Sequence, residues 1–267
     1  MPSSRLEITT TITRRLAAAA ALVALAAGCN PDEPATGPRP TGPSFRLRVV
    51  NATPDPTAGG AQNVKIGDQV FAVNLGYGAG SSYQRVYEGQ RELHVRRTSD
   101  TTIVVTDAAF SNAPDLDFTT FVVGKRTANG GTGIVAHQIP DDNTPPAAGQ
   151  VKLRFFNAAA VAGNVDVYVT SPTASILTAT PNVSALAYRT ASPYLALAAG
   201  TYRVRVTTAG TKTVLVDITQ TAGTSPPTPV VPALPALAAG QIRTIVVLER
   251  TGSGTPLTAS ILVDRNP

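Results

Sequence analysis

The segment FRLRVVNA at residues 45–52 decides the fold, and it returns in the second half of the chain as VKLRFFNA at residues 151–158. Four of the eight positions are identical. Leu47 points to one side of an extended chain, while Arg46 and Arg48 point to the other. Alternation with a period of two residues is typical of a β-strand. We therefore expect each copy to begin a β-sheet domain, with the apolar side in its core and the arginines in solvent.

Further matches between the two halves follow the same order along the chain, which chance similarity between β-rich segments would not produce. The matched pairs are LGY 75–77 with LAY 186–188, SSY 81–83 with SPY 192–194, and TTFVVGKR 119–126 with RTIVVLER 243–250. The repeat predicts two domains, residues 45–143 and 151–267. The segment Pro140–Gln150, which contains two adjacent prolines, joins them.

Short strands separated by turns, with abundant Thr and Val, predict an all-β fold. We expect two tandem immunoglobulin-like β-sandwich domains. The Cys–Trp–Cys core of antibody domains is absent, since the chain has one cysteine and no tryptophan. The strand period assigns Leu153 and Val204 to the core and Arg154 and Arg203 to the exposed faces.

A strand ending in VVNA, then Leu-x-Tyr-x-x-x-Ser-x-Tyr, then Gly before a Tyr/Leu-x-Val strand, resembles the bacterial domain-of-unknown-function family 4397. The second half matches best, through VDVY 165–168, SPYL 192–195 and LAAGTY 197–202. In the first half Val64-Lys65-Ile66 replaces the usual Val-Asp-Val. The resemblance covers nearly all of residues 45–267. It implies a secreted protein or lipoprotein with tandem copies, and it implies no activity.

The N-terminus reads as a secretion signal. Arg14-Arg15 precede a 12-residue apolar run, Leu16–Ala27, which is too short to span a membrane. The following LAAGCN, residues 25–30, resembles the lipobox of bacterial lipoproteins. It implies a signal peptide at 1–28 and a lipid anchor on Cys29, whereas ordinary cleavage would leave a free thiol there. Residues 29–44 then form a Pro-rich tether.

Charge sets limits on the partners. Residues 45–143 hold 9 basic and 10 acidic residues, net −1, and residues 150–267 hold 9 basic and 4 acidic residues, net +5. The whole chain is too weakly basic to predict nucleic-acid binding. The second half could instead contact anionic lipid headgroups or polysaccharide. We expect a membrane partner through the lipid on Cys29, and an envelope polysaccharide or protein as a second candidate.

Candidate catalytic and metal-binding residues are few. His94 falls on the outward face of its strand and is predicted to be solvated, and His137 has no Cys or second His at ligand spacing. We expect no cofactor, no metal and no catalytic residue. The acidic clusters 115–117 and 141–143 could hold calcium, but solvated loops explain them better.

Candidate binding residues are the arginines and tyrosines of the second half. Arg203 and Arg205 alternate with valines, so a solvated strand face explains them as well as a binding surface does. Tyr188 and Tyr194 recur in the first half as Tyr77 and Tyr83, which favours packing over a sugar-binding platform. The segment Thr221–Gly240, longer than its first-half counterpart, is either a binding loop or a proline-rich brace.

The function favoured by the sequence is a non-enzymatic lipoprotein, anchored outside the cytoplasm in the bacterial cell envelope, that presents a binding or scaffolding surface. The outer membrane or the periplasmic face is favoured over release. The alternatives are a carbohydrate-binding module, which requires exposed tyrosines in a row, and an envelope-polymer hydrolase, which requires carboxylates paired in space. The fold itself does not decide between them.

Overall fold

The computed structural model describes residues 42–54, 60–87, 92–99, 103–108, 113–125, 133–219, 231–250 and 254–266. Residues 42–267 form one compact unit. The predicted signal peptide, Cys29 and most of the tether lie outside the described residues. The boundaries of the two predicted domains stay predictions. The strands are accordingly grouped below by the half of the chain in which they lie.

The described residues of the first half form eight β-strands. They are β1 (Ser44–Ala52), β2 (Gln62–Ile66), β3 (Gln69–Leu75), β4 (Gln84–Tyr87), β5 (Leu93–Arg97), β6 (Ile103–Ala108), β7 (Asp117–Val123) and β8 (Val135–Asp141). They form two four-stranded sheets, in the orders β4-β1-β7-β8 and β3-β2-β5-β6. Strands β1 and β7 are parallel, and the other neighbours are antiparallel.

In the second half, the part that the structure describes forms eight more strands and a 3₁₀ helix, Ala160–Ala162. The strands are β9 (Gln150–Asn157), β10 (Val165–Thr170), β11 (Val183–Leu186), β12 (Leu195–Ala198), β13 (Arg203–Thr208), β14 (Val214–Ile218), β15 (Ile242–Arg250) and β16 (Gly254–Arg265). The sheets have the orders β12-β9-β15-β16 and β11-β10-β13-β14, and β9 and β15 are parallel. Each strand thus takes the place of the strand eight earlier.

The prediction of an all-β sandwich is confirmed, because in each half two sheets enclose an apolar cluster. The immunoglobulin-like detail is not confirmed. A constant-type immunoglobulin domain sets four strands against three, whereas each half here sets four against four. Leu153 and Val204 are fully buried in the apolar cluster of the second half, as predicted. The described part of the Thr221–Gly240 segment adds Val231, Leu234 and Leu237 to the same cluster, so this part packs as a brace.

The pairing of strands corrects two of the sequence matches between the halves. Arg48 lies opposite Thr119, and its counterpart Arg154 lies opposite Thr244, so Thr119 corresponds to Thr244 and the match of 119–126 with 243–250 is displaced by one residue. Gln62–Val64, not Val64–Ile66, takes the place of Val165–Val167, because Gln62 pairs with the end of β3 as Val165 pairs with the end of β11.

The inner strands are buried on both faces, which the sequence analysis did not predict. The sheets containing β1 and β9 share a third apolar cluster, formed by residues from both halves. Val50 and Ala52 of β1 belong to it, as do Phe156 and Ala158 next to the end of β9. The predicted exposure of Arg154 is therefore wrong: its face of the strand is covered by the other half, and only 2% of the residue is exposed.

Candidate functional site

The junction between the two halves is closed at its centre by aromatic stacking. The rings of Phe121 and Phe156 are 3.8 Å apart between centroids and nearly parallel, with an interplanar angle of 7°. In the strand register of the opposite half, Val246 takes the position of Phe121 and Val50 takes the position of Phe156. All four residues belong to the third cluster, so corresponding positions of the two halves contribute to it.

Two ion pairs flank this apolar centre, and they are reciprocal. Arg48 of the first half donates from Nη2 to Oδ1 of Asp264 in the second half at 2.7 Å. Arg154 of the second half donates from Nη2 to Oδ1 of Asp141 in the first half at 2.5 Å. All four side chains are at most 3% exposed.

Neighbouring groups complete both ion pairs in the same way. The Nη1 atoms of Arg48 and Arg154 donate to the carbonyl oxygens of Val263 and Pro140, at 3.2 and 2.9 Å. Each carboxylate also accepts a hydrogen bond from a threonine, Asp141 from Thr119 at 2.6 Å and Asp264 from Thr244 at 2.5 Å. Buried charges are retained only when they are paired and hydrogen-bonded, and these are.

Electrostatics keeps the two arginines charged. Burial alone would lower the pKa of Arg48, but the carboxylates Asp264 and Asp141 and the ring of Tyr83 outweigh it, and its pKa lies above the ordinary value. The pKa of Arg154 is raised against the same opposing effect of burial, chiefly through Asp141. Both arginines therefore stay charged between the apolar sheets, while burial raises the pKa of Asp264 against the opposing charges of Arg48 and Arg154.

Tyr83 and Tyr194 are part of this network. The guanidinium of Arg48 lies 4.7 Å from the centre of the Tyr83 ring, and that of Arg154 lies 4.6 Å from the centre of the Tyr194 ring. Tyr83 also donates to Asp141 at 2.7 Å. Burial raises the pKa of both tyrosines. These rings are half-buried packing partners of arginines, not a row of exposed aromatic faces.

A groove opens on each side of the junction, and the two are made of corresponding positions. The smaller, of about 410 Å³, runs past Arg48, Gly78–Ser81 and Ser260–Val263. The larger, of about 660 Å³, runs past Arg154, Arg189–Ser192 and residues 137–142 of β8 and the connector, with Leu116, Asp117 and Tyr194. Concave surfaces of this size accommodate small ligands, so the larger groove is the candidate site.

Asp117, Asp141 and Asp142 of the acidic clusters line this groove, and the interpretation as solvated loop residues is wrong for Asp117 and Asp141, whose side chains are buried at strand ends. Asp117 accepts a bidentate pair of hydrogen bonds from Arg46 at 2.6 and 2.5 Å. Asp141 is held by Arg154, and Asp142 binds Nζ of Lys152 at 2.5 Å. Within the described ranges, no three His, Cys, Asp or Glu side chains are grouped as a metal site requires.

The two histidines lie apart. His94 is 29% exposed at its side chain, on β5, with Nε2 3.5 Å from a carboxylate oxygen of Glu92. His137 lies in the larger groove, and its ring centre is 6.0 Å from that of Phe156. Burial, and to a smaller extent the charge of Arg189, lower the pKa of His137.

The four residues predicted as a binding surface do not meet in one place. Tyr194 lines the groove, and Tyr188 stands next to it, with Arg189 5.3 Å from its ring centre. Arg203 and Arg205 lie on β13, where Arg203 pairs with Asp217 at 2.5 Å. Arg205 is 5% exposed, not solvated, because it donates to the carbonyl of Ala174 in the segment that follows β10. As a binding surface the set stays a prediction.

Sequence reasoning missed Arg154, Asp141, Asp264 and Arg189 as members of one region. The available signal was the run of four successive apolar residues Ile245–Leu248 in β15, which has no polar face and so indicates burial on both sides. Lipidation of Cys29 falls outside the described residues. In the part of the chain that the structure describes, no helix is long and apolar enough to cross a membrane.

Comparison with known proteins gives a family but no activity. No curated protein matches the chain at a significant level. Residues 45–168 match the model of a domain of unknown function, DUF4397. The match runs through the whole first half and into β10 of the second, a shorter span than the resemblance to residues 45–267 implied. Residues 45–168 of this chain therefore belong to the DUF4397 family.

Proposed function

We propose that the mature chain is a lipid-anchored, non-catalytic protein of the bacterial cell envelope that binds a ligand or partner at the junction of its two halves. The anchor rests on the sequence around Cys29, and the tether that follows would hold residues 42–267 away from the membrane surface. The binding role rests on one observation, the groove of about 660 Å³ beside an interlocked junction.

The side chains around this groove favour binding over catalysis. A general acid or base needs a titratable group that is free to exchange its proton with a substrate. Asp117, Asp141 and Asp142 are each held by an arginine or a lysine. Their carboxylates therefore fix the walls of the groove, and a rigid, preformed wall favours binding because little order is lost when a ligand enters.

The anchor is tested by Cys29→Ala in the full chain. Each buried methylene of an acyl chain contributes about 0.8 kcal/mol to membrane attachment, so two or three chains hold a protein firmly. The wild type should enter the detergent phase in phase separation, and Cys29→Ala should enter the aqueous phase or fail to mature. Unchanged partition of the variant would refute the anchor.

The non-catalytic role is tested separately on the detergent-solubilised full chain. Ester, glycoside and peptide substrates should show no turnover above that of a preparation without the protein. Turnover that disappears in Asp142→Asn or His137→Asn would overturn the proposal, because it would place chemistry in the groove. Crosslinking in intact envelopes, followed by pull-down, then identifies the partner.

A further inference from the structure

Among the residues that the structure describes, the larger groove contains one positive charge without a carboxylate partner. It belongs to Arg189, which lines the groove and places its guanidinium over the ring of Tyr188. The three carboxylates of the groove are already matched by Arg46, Arg154 and Lys152. When Arg46 and Lys152, which lie outside the lining, are counted with the carboxylates they neutralise, Arg189 leaves a net charge of about one positive unit near neutral pH.

The backbone at Arg189 is held in an unfavourable conformation. Its φ angle is +59°, in the left-handed region where a side chain costs roughly 1–2 kcal/mol. The corresponding position in the first half is Gly78, at φ +76°, and the N–H groups of Gly78 and Arg189 donate to Asn51 and Asn157 in the same way. An arginine thus occupies a position where the fold prefers glycine, which indicates that its side chain has a use.

The smaller groove shows what the same positions do without that charge. There Oγ of Ser260 donates to the carbonyl of Gly78 at 2.6 Å, and a Cβ on Gly78 would lie 3.2 Å from Leu248. In the larger groove the place of Ser260 is taken by His137. At these positions the smaller groove has a short internal hydrogen bond, while the larger groove presents an arginine and an imidazole to its space.

The rest of the larger groove is mainly apolar. Leu116, Ile139, Pro140 and Ala191 line it together with the ring of Tyr194. Leu116 is 49% exposed and therefore offers apolar surface to a molecule in the groove. A ligand that fits these walls has a body of low polarity and one anionic end.

We propose that this groove binds a small amphipathic anion, with one carboxylate or phosphate-ester group at Arg189 and an apolar body along Leu116 and Ile139. A guanidinium binds both kinds of oxyanion through two parallel hydrogen bonds. Burial and the charge of Arg189 lower the pKa of His137, so the neutral ring can donate one N–H to the same anion. This deepens the proposed function by naming the ligand class.

The test uses the full chain carrying Cys29→Ala as a common background, purified without detergent so that amphipathic probes do not enter micelles. Octanoate and octyl phosphate are titrated by calorimetry, with acetate and 1-octanol as probes of the head and the body alone. We expect at least one of the first two to bind, and acetate and 1-octanol to bind at least about tenfold more weakly. The stronger of the first two identifies the head group.

Arg189→Gly provides the matched variant, because it installs the residue found in the first half. It should fold with unchanged or higher thermal stability and lose at least about tenfold in affinity. Arg203→Gln removes the same charge from β13 and should change affinity by less than about twofold. Equal binding by Arg189→Gly, or equal weakening by Arg203→Gln, would overturn the site.

Absence of binding by both amphipathic probes, or equally tight binding of acetate or 1-octanol, would also overturn it. Such a failure leaves the proposed function standing, because membrane partition and turnover assays decide that proposal independently.

Discussion

The two faces of β9 differ in what they pack against, although both are buried. Val151, Leu153 and Phe155 point into the sandwich of the second half, among aliphatic side chains. Arg154 and Phe156 point out of that sandwich and against the first half, through an ion pair and a stacked ring. The inner face packs into the core of the second half. The outer face joins the two halves through an ion pair and aromatic stacking.

Separating the halves has the largest expected effect on this comparison. A fragment of residues 44–143 retains the core of its own two sheets, and we expect it to unfold cooperatively. It also exposes Phe121 and Val50 to water, so it should unfold at lower denaturant concentration than the full chain and self-associate. Chemical denaturation and analytical ultracentrifugation check both. A monomeric fragment as stable as the full chain would show that the junction contributes nothing.

Arg154→Ala tests the outer face alone. It leaves Asp141 buried without its cation, and breaking a buried pair in this way costs about 3–5 kcal/mol. Urea denaturation measures the loss, with Arg203→Ala as the control, since its half-exposed pair with Asp217 should be worth less than about 1 kcal/mol. Equal effects of the two substitutions would mean that Arg154 is solvated in solution.

Leu153→Ala tests the inner face one residue earlier. The side chain is fully buried, and such truncations cost about 2–5 kcal/mol through lost transfer energy and the cavity left behind. We therefore expect urea denaturation to show similar losses of stability for substitutions on the two faces of β9. A loss below about 1 kcal/mol would place the core of the second half elsewhere.

Asp142 lies at the rim of the larger groove, and its contact with Lys152 has the smallest expected effect on stability. Hydrogen bonds from Lys152 and Thr144 lower its pKa from 3.8 to about 2. Because the folded state favours the ionised form, this contribution is present above about pH 3.8 and is lost as the pH falls toward 2. The side chain is half exposed, so the contribution should stay below about 1 kcal/mol.

Urea midpoints between pH 5 and pH 2 measure that contribution. The wild type should lose slightly more stability on acidification than Asp142→Asn. Asp68→Asn, in the exposed turn between β2 and β3, serves as the control and should follow the wild type. A wild type and an Asp142→Asn variant with identical pH profiles would show that the Lys152 contact is not formed in solution.

The fold was largely predictable because strand alternation is a local property. The alternation of Phe45, Leu47 and Val49 was enough to place three core side chains of β1. It also showed correctly that Arg48 points to the opposite side. It could not show that this opposite side meets another sheet, since a partner surface far along the chain leaves no period-two signature.

The candidate site was beyond sequence reasoning for the same reason. Arg48 and Asp264 are 216 positions apart, and Arg189 reaches His137 only through the packing of two halves. Isolated arginines on alternating strands are ordinarily solvated, so their burial depends entirely on what covers them. One local clue was present: Ile245–Leu248 are four successive apolar residues in a strand, and such runs occur where both faces are covered.

The reciprocal ion pairs have the arrangement of an isologous dimer, in which residue i of one copy meets residue j of the other, and j meets i. In a dimer of identical chains, every substitution appears twice, and both ends of the interface must change together. Here the two copies are joined covalently and are free to diverge. The groove at Gly78 could keep its internal hydrogen bond while the groove at Arg189 gained a charged side chain, so one chain combines a symmetric joint with two grooves of different chemistry.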